Sequence, residues 1–400
     1  MFSRVFKAFQ YPDFRLLWFG ACTSSIGTWM QNLAQSWLVL QISGSPYMLG
    51  LNAFLAEIPI FLFSLVGGVV ADRMDRRKLL LISQFVQMAS AFLLTALIVT
   101  KTIKIEHILA LSFIVGIAQA FGGPAYSALV PSLVKQEDLP NAIALNSIQF
   151  NVARVIGPVI GGLAMENLGA EWCFGINGLS FIAVIISLLR LKINFNPPRT
   201  GESLLTGVQQ GIAFVRERSM EKLIVIAFLM TALAIPMITF LPVFAKDVFH
   251  GNAGTYTWFL ASSGIGSITG ALIVAAIGNV AGKGRIALLM LIALGALISG
   301  VALSKNIVLT CICIFFAGAA LMCAFAMISS LVQLITTNEM RGRVMSVYNV
   351  AFRGGMPFGS LATGRLMLVY PAPIVLAVNG VLLVCMGFYF LLFQRKVAAL

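Results

Sequence analysis

Long apolar stretches alternate with short polar links from one end of the chain to the other. They fall roughly at 14–40, 47–71, 79–100, 106–130, 141–165, 171–191, 221–245, 255–278, 285–304, 307–335, 343–368 and 372–393. Each is long enough for a helix crossing the roughly 30 Å hydrocarbon core of a bilayer. Lipid offers no partner to an open backbone, so every span is predicted to be helical, about twelve in all. The longest polar interval, 192–219, contains Asn196-Pro197-Pro198. It reads as a linker between a bundle at 1–191 and a second at 220–400, six spans in each.

Composition strengthens this picture. The chain is 59% hydrophobic and 10% charged over 400 residues, against about a quarter charged in soluble domains. Its net charge of +13 is unevenly spread. Arg73, Arg76, Arg77 and Lys78 crowd the link between spans two and three, and alternate links continue the trend with Arg190, Lys192, Lys283, Arg285, Arg341 and Arg343. The remaining links hold only Lys101, Lys104, Lys246, Lys305 and Arg365. Basic links mark the cytoplasmic side, which places both termini there. The excess is therefore a topology signal and not a sign of nucleic-acid binding.

Phe2, Val5, Phe6 and Phe9, interleaved with Arg4 and Lys7, predict a short helix lying on the inner leaflet. The first apolar run is too long for a cleavable signal core. Six cysteines, scattered through the spans, read as packing residues. His107 and His250 sit near span ends without a ligand cluster, so no metal or cofactor is expected. Gly264-x-Gly266 lacks the strand before it and the Lys-Ser/Thr after it that a nucleotide loop needs, and reads as helix packing.

The two halves echo each other. Asn151-Val152-Ala153-Arg154 precedes Pro158, as Asn349-Val350-Ala351-Phe352-Arg353 precedes Pro357; Asn177-Gly178 matches Asn379-Gly380, and Phe54-Leu55-Ala56 matches Phe259-Leu260-Ala261. Repeated six-helix halves around a central binding site are a transporter design.

Gly68 through Arg77 resembles the signature between spans two and three of the major facilitator superfamily, with Asp75 where many members carry glycine. Ala153 through Gly162 resembles the span-five signature common in its exporters, with Ala153 replacing the first glycine. Gly27-Thr28-Trp29-Met30-Gln31, Ser43-Gly44-Ser45-Pro46, Leu139-Pro140-Asn141-Ala142 and Arg341-Gly342-Arg343-Val344-Met345-Ser346 resemble the bacterial branch of siderophore exporters and macrolide efflux pumps, the transmembrane secretion effectors. Phe121-Gly122-Gly123-Pro124-Ala125-Tyr126 departs from that branch, which often shows charged residues there. The resemblance implies an all-α integral membrane protein of two pseudo-symmetric six-helix bundles. In that fold spans two and eleven face each other, as do spans five and eight, and span one lines the central cavity.

Charges within spans are expensive and functional by default. Glu57 is the acid at membrane depth, a proton-coupling candidate, and Arg353 on span eleven is its expected ion-pair partner between the halves. A permanent structural pair is the alternative. Arg154 either binds an anionic substrate group or hydrogen-bonds backbone carbonyls. Thr28, Gln31, Asn32 and Gln35 share one helical face, either lining a substrate cavity or bonding neighbouring helices. Gln119, Tyr126, Thr231 and Thr239 are candidates for the same lining. Gly68, Asp72, Arg73, Arg76 and Arg77 are expected to form a cytoplasmic gate, with Gly68 admitting span eleven, unless they fix orientation alone. Gly157, Pro158, Gly161 and Gly162 allow close packing and a bend in span five.

These features predict a secondary transporter of the bacterial inner membrane, not an enzyme, whose partners are a small-molecule substrate, protons and the bilayer. The preferred expectation is proton-driven antiport of amphiphilic or hydrophobic compounds. A carrier of a lipid-like or anionic metabolite without proton coupling, and a transporter-like receptor, are the alternatives.

Overall fold

The computed structural model describes residues 6–191, 204–218, 220–278, 280 and 282–394; the side chains of Asp72 and of 204–208 are outside that description. Among the described residues every regular element is helical. Twelve long helices follow the apolar stretches: α1 Pro12–Ser43, α2 Pro46–Arg73, α3 Arg76–Val99, α4 Ile105–Leu129, α5 Leu139–Asn167, α6 Ala170–Arg190, α7 Glu221–Thr239, α8 Ala253–Ile277, α9 Lys283–Leu303, α10 Ile307–Ile335, α11 Arg341–Leu366 and α12 Ala372–Phe393. Ten are long and apolar enough to cross a membrane by length and composition. The exceptions, α1 and α11, are 32 and 26 residues long but carry the polar face of Thr28 to Gln35 and the arginines 341, 343, 353 and 365.

Local chemistry sets the helix ends. Asp75 caps α3 by accepting from the Arg77 and Lys78 amides at 2.9 and 3.4 Å. Asn306 caps α10, accepting from Val308 and Leu309. Such side-chain oxygens satisfy donors that the first helical turn leaves open. Gly44, at φ 60°, turns the chain between α1 and α2. Prolines 59, 124, 158, 236 and 357 lie inside helices.

Two compact units emerge: Met1–Ile42 with Ile58–Gly201, and Ser43–Glu57 with Glu202–Leu400. The first half of α2 therefore belongs with the second unit. Its reason is a seam with α11. A Cβ on Gly50 would stand 2.6 Å from the Ser360 carbonyl oxygen, and the Phe54 ring meets Phe358 edge-on at 5.9 Å. Residues 192–203 of the expected linker lie outside the described residues; Leu204–Glu217 is a helix seated on the start of α11, where Gly211 faces the Arg343 carbonyl.

Packing repeats inside each unit. In the first, Gly157 and Gly161 of α5 lie on Trp29 and Met30 of α1, a Cβ on Gly157 standing 2.5 Å from Trp29 Cβ. In the second, Gly355 and Gly359 of α11, also four apart but one position earlier relative to their proline, lie on Phe228 and Ala232 of α7. Gly67 of α2 abuts the Ala120 carbonyl of α4, as Gly266 of α8 abuts that of Phe315 on α10. Small residues that let backbones meet drive helix association where no hydrophobic force acts between helices.

The expected interfacial helix falls only in part among the described residues. Residues 2–5 lie outside the described residues. Lys7–Gln10 is a single 3-10 turn whose Phe9 packs on Trp18 at 5.0 Å. The Ala8 amide donates to Asn141 Oδ1 of α5 at 2.8 Å, and Lys7 pairs with Asp138 of the α4–α5 link.

Candidate functional site

The first unit holds a cavity of about 300 Å³ among α1, α3, α4, α5 and α6. It lies in the half of the bundle nearer the Arg73–Lys78 hairpin, since its α3 residues come from the first turns after that hairpin and its α4 residues from the last turns of α4. Of the expected cavity residues, Thr28, Gln119 and Tyr126 line it. Gln84, Gln87, Asn146 and Gln149 join them. These four were missed, although Ser83, Gln87 and Ser90 recur at helical spacing on α3 and formed a legible polar stripe.

Most of the polar lining is bonded to itself. Gln149 Nε2 donates to the Ala21 carbonyl at 3.0 Å and to Ser25 Oγ at 2.6 Å. Gln119 Nε2 donates to Gln87 Oε1 at 3.4 Å, and the Tyr126 hydroxyl to Asn146 Oδ1 at 3.2 Å. Trp29 and Phe150 meet edge-on at 6.0 Å along another wall. The Arg154 guanidinium stands 5.8 Å from the centre of the Trp29 ring, a cation–π contact.

The polar face of α1 divides. Thr28 reaches the cavity, with its hydroxyl donating to the Ser24 carbonyl at 2.9 Å. Gln31 accepts from Asn177 Nδ2 of α6 at 2.6 Å, and Gln35 Nε2 donates to Ser112 Oγ of α4 at 2.8 Å. Both therefore bind α1 to its neighbours, while Asn32 is exposed. In the second unit Thr231 is 0% exposed and donates to the Phe352 carbonyl at 2.8 Å. A side chain so enclosed has no face on a cavity, which corrects its expected place; it fastens α7 to α11. Thr239, in hydrogen-bond contact with Ser360 Oγ at 3.2 Å, sits on the same seam.

Arg353 and Glu57 come together within the second unit, Nη1 standing 3.7 Å from Oε2. Glu57 is 34% exposed, yet Oε2 itself is covered and accepts no hydrogen bond from a described residue. The contact is thus a charge pair without a hydrogen bond.

At the hairpin, Arg76 donates to the Ala71 carbonyl at 3.2 Å and to Ala128 at 2.8 Å; Arg77 donates to Leu191 at 3.2 Å and Leu189 at 2.6 Å. Both arginines cap the carbonyl ends of helices, where positive charge is favourable. Arg73 is exposed. Asp72's side chain lies outside the description, as do Arg4, Arg395 and Lys396. A Cβ on Gly68 would meet nothing within 4 Å, while its neighbour Gly67 makes the close approach to α4. No group of three or more His, Cys, Asp or Glu suited to a metal occurs among the described residues.

With this geometry in hand, comparison with known proteins adds the following. A family model for transmembrane secretion effectors matches residues 3–399. The chain is 26% identical over 378 residues to the staphyloferrin A transporter of Staphylococcus aureus (strain NCTC 8325 / PS 47), covering 93% of this chain and 94% of that one. It is 26% identical over 363 residues to the multidrug efflux pump Tap of Mycolicibacterium fortuitum, covering 88% of each. The solved structure of the POT family transporter PepTSo superposes with a TM-score of 0.77 at 11% identity, over 97% of this chain and 98% of that one, a likeness of fold.

Proposed function

Because the chain belongs to the transmembrane secretion effector family of the major facilitator superfamily, we propose that it exports amphiphilic or hydrophobic small organic compounds by alternating access, driven by inward proton flow. It is a multi-pass membrane transporter and not an enzyme. The observation that carries the export reading is the full-length similarity to a staphyloferrin A transporter and a multidrug efflux pump. The cavity beside the basic hairpin supports it: on the positive-inside rule that side is cytoplasmic, where an exporter loads. The same rule puts both termini in the cytoplasm, and the bacterial relatives favour the inner membrane.

Glu57 is the proton carrier in this reading, released from and returned to Arg353 as the two bundles alternate. Arg73, Arg76 and Arg77, with Asp72 and Gly68, form the cytoplasmic gate. Substrate meets Thr28, Gln119 and Tyr126. Arg154, a cation beside the aromatic wall, favours a second reading in which a lipid-like or anionic metabolite is carried without proton coupling. Proteoliposomes loaded with candidate compounds, assayed with and without an imposed pH gradient, separate the two. Gradient-driven uptake into inside-out vesicles supports proton antiport, and flux indifferent to the gradient overturns it.

A further inference from the structure

Arg154 lies midway along α5, Leu139–Asn167, and is half-buried. Its guanidinium rests on the Trp29 ring at 5.8 Å from the ring centre. A guanidinium carries N–H donors in a planar fork and no acceptor. Those of Arg154 make no hydrogen bond and no ion pair with a described residue, and none of its nitrogens is covered. No backbone carbonyl among the described residues accepts from it. The side chain does not share the lipid-side face of α5 either. Phe150, Arg154, Gly157 and Gly161 recur at steps of four, three and four, which is one helical face, and the two glycines seat that face on α1. The exposed Ile156 and Leu163 stand two and nine positions from Arg154, on the opposite side of the helix.

The second half of the chain shows how such a charge is settled. Arg154 and Arg353 each stand four residues before a proline, Pro158 and Pro357. Arg353 has the Glu57 carboxylate at 3.7 Å. Arg154 has no acid within reach among the described residues, and the residue repeating Glu57 is the neutral Ser262. An arginine at membrane depth without a counter-charge is costly, and contact with an indole recovers only part of that cost. A ligand that brings the anion removes the rest. A free guanidinium fork suits a carboxylate or phosphate, which it grips with two parallel hydrogen bonds.

We propose that Arg154 anchors an oxyanion that the protein does not itself supply, a carboxylate or phosphate borne by an amphiphile. The ligand's charge does for Arg154 what Glu57 does for Arg353, while Trp29 holds the guanidinium in place between ligands. Arg154 is one helical turn beyond Phe150, which lines the cavity of the first unit, so the body of an anchored ligand lies close to that space. The proposal rests on the second reading above for the claim that the anion is carried, but the anchoring itself is measurable without flux.

The test uses purified full-length protein in an uncharged maltoside detergent, with binding read by calorimetry. The probes share one ring system: 2-naphthylacetate, 2-naphthyl phosphate and the uncharged 2-naphthylacetamide. The two anions are expected to bind at least about tenfold more tightly than the amide. Arg154→Gln should bring all three within about twofold of one another, since the charge-assisted bonds are gone. Arg154→Lys keeps the charge without the fork and should weaken both anions several-fold while leaving the amide unchanged; it decides the matter if the glutamine variant fails to fold. A second arm adds phosphatidylglycerol to the micelles. A lipid headgroup as occupant displaces 2-naphthylacetate from the unaltered protein and leaves the amide in place, whereas a soluble occupant gives no competition from the lipid. Equal binding of anion and amide by the unaltered protein, an anion preference that survives Arg154→Gln, anion affinity untouched by Arg154→Lys, or no Arg154-dependent binding by any probe, lipid included, overturns the proposal. Flux with and without a pH gradient is read separately. Binding as expected with flux that follows the gradient removes the uncoupled reading and leaves the Arg154 anchor standing; loss of the anion preference removes the anchor whatever the flux.

Discussion

Lys7 Nζ stands 2.7 Å from Asp138 Oδ1, while the Tyr11 hydroxyl and Gln10 amide donate to Oδ2 at 2.8 and 2.9 Å. The segment before α1 is thereby fastened to the link between α4 and α5. Hydrogen bonds from Lys7 and Tyr11 hold the Asp138 carboxyl below its usual 3.8, and Asp138 raises Lys7 above its usual 10.5. The signs fix the pH window. A lowered carboxyl contributes stability that is complete above its unfolded value and is lost as pH falls through the folded one. A raised lysine contributes stability that is complete below its unfolded value and is lost as pH climbs through the folded one. Asp138→Asn should therefore lower the unfolding temperature by a constant amount between these limits, and the difference from the unaltered protein should close in acid beneath 3.8. A gap that persists unchanged to the lowest accessible pH would refute the linkage.

Gly67 and Gly68 are neighbours on α2 with opposite surroundings. A Cβ on Gly67 would strike the Ala120 carbonyl, whereas one on Gly68 would meet nothing. Gly67→Ala should destabilise by about 1–3 kcal/mol through forced separation of α2 and α4. Gly68→Ala should be neutral in stability or gain up to about 1 kcal/mol from the better helix former. Thermal unfolding in detergent distinguishes them, and equal losses at both positions would mean the packing is misread.

Helix number, span limits and the repeat were legible in the sequence because lipid forces a simple rule on every span. Each half also packs a helix through two glycines four apart, Gly157 and Gly161 in one and Gly355 and Gly359 in the other, though the two pairs differ by one position relative to Pro158 and Pro357. The site was legible only in part. Thr28, Gln31 and Gln35 share a helical face, but sequence spacing does not say which neighbour that face meets; Asn177 and Ser112 claim the two glutamines. The α3 stripe of Ser83, Gln87 and Ser90 was visible as spacing, but a polar stripe looks the same in sequence whether it bonds a neighbour or lines a cavity. Partition of α2 between the units was beyond reach, since it depends on Gly50 and Phe54 meeting residues some three hundred positions away.

Glu57 and Arg353 lie 3.7 Å apart, too far for a hydrogen bond. So loose a pair should contribute little to stability, about 0–1 kcal/mol, and Arg353→Gln should unfold near the unaltered protein's temperature. If Glu57 carries the proton, Glu57→Gln should reduce pH-driven export by at least about tenfold, some 1.4 kcal/mol in the barrier, while exchange of substrate at equal concentrations persists. Export that remains fully responsive to pH in Glu57→Gln vesicles would end the coupling role.

Arg77 donates to the carbonyls of both Leu189 and Leu191, closing the end of α6, and a lysine has no fork with which to do the same. Arg77→Lys should therefore cost about 1–3 kcal/mol in thermal stability, the range for hydrogen bonds to a charged group. Arg73, exposed at the end of α2, should tolerate Arg73→Gln within about 0.5 kcal/mol. The two variants separate structure from gating. If the hairpin also gates, Arg73→Gln should slow transport several-fold in vesicles while its unfolding temperature stays put. Should Arg73→Gln transport normally, with loss confined to variants that also melt early, the arginines would be helix caps and topology signals and nothing more.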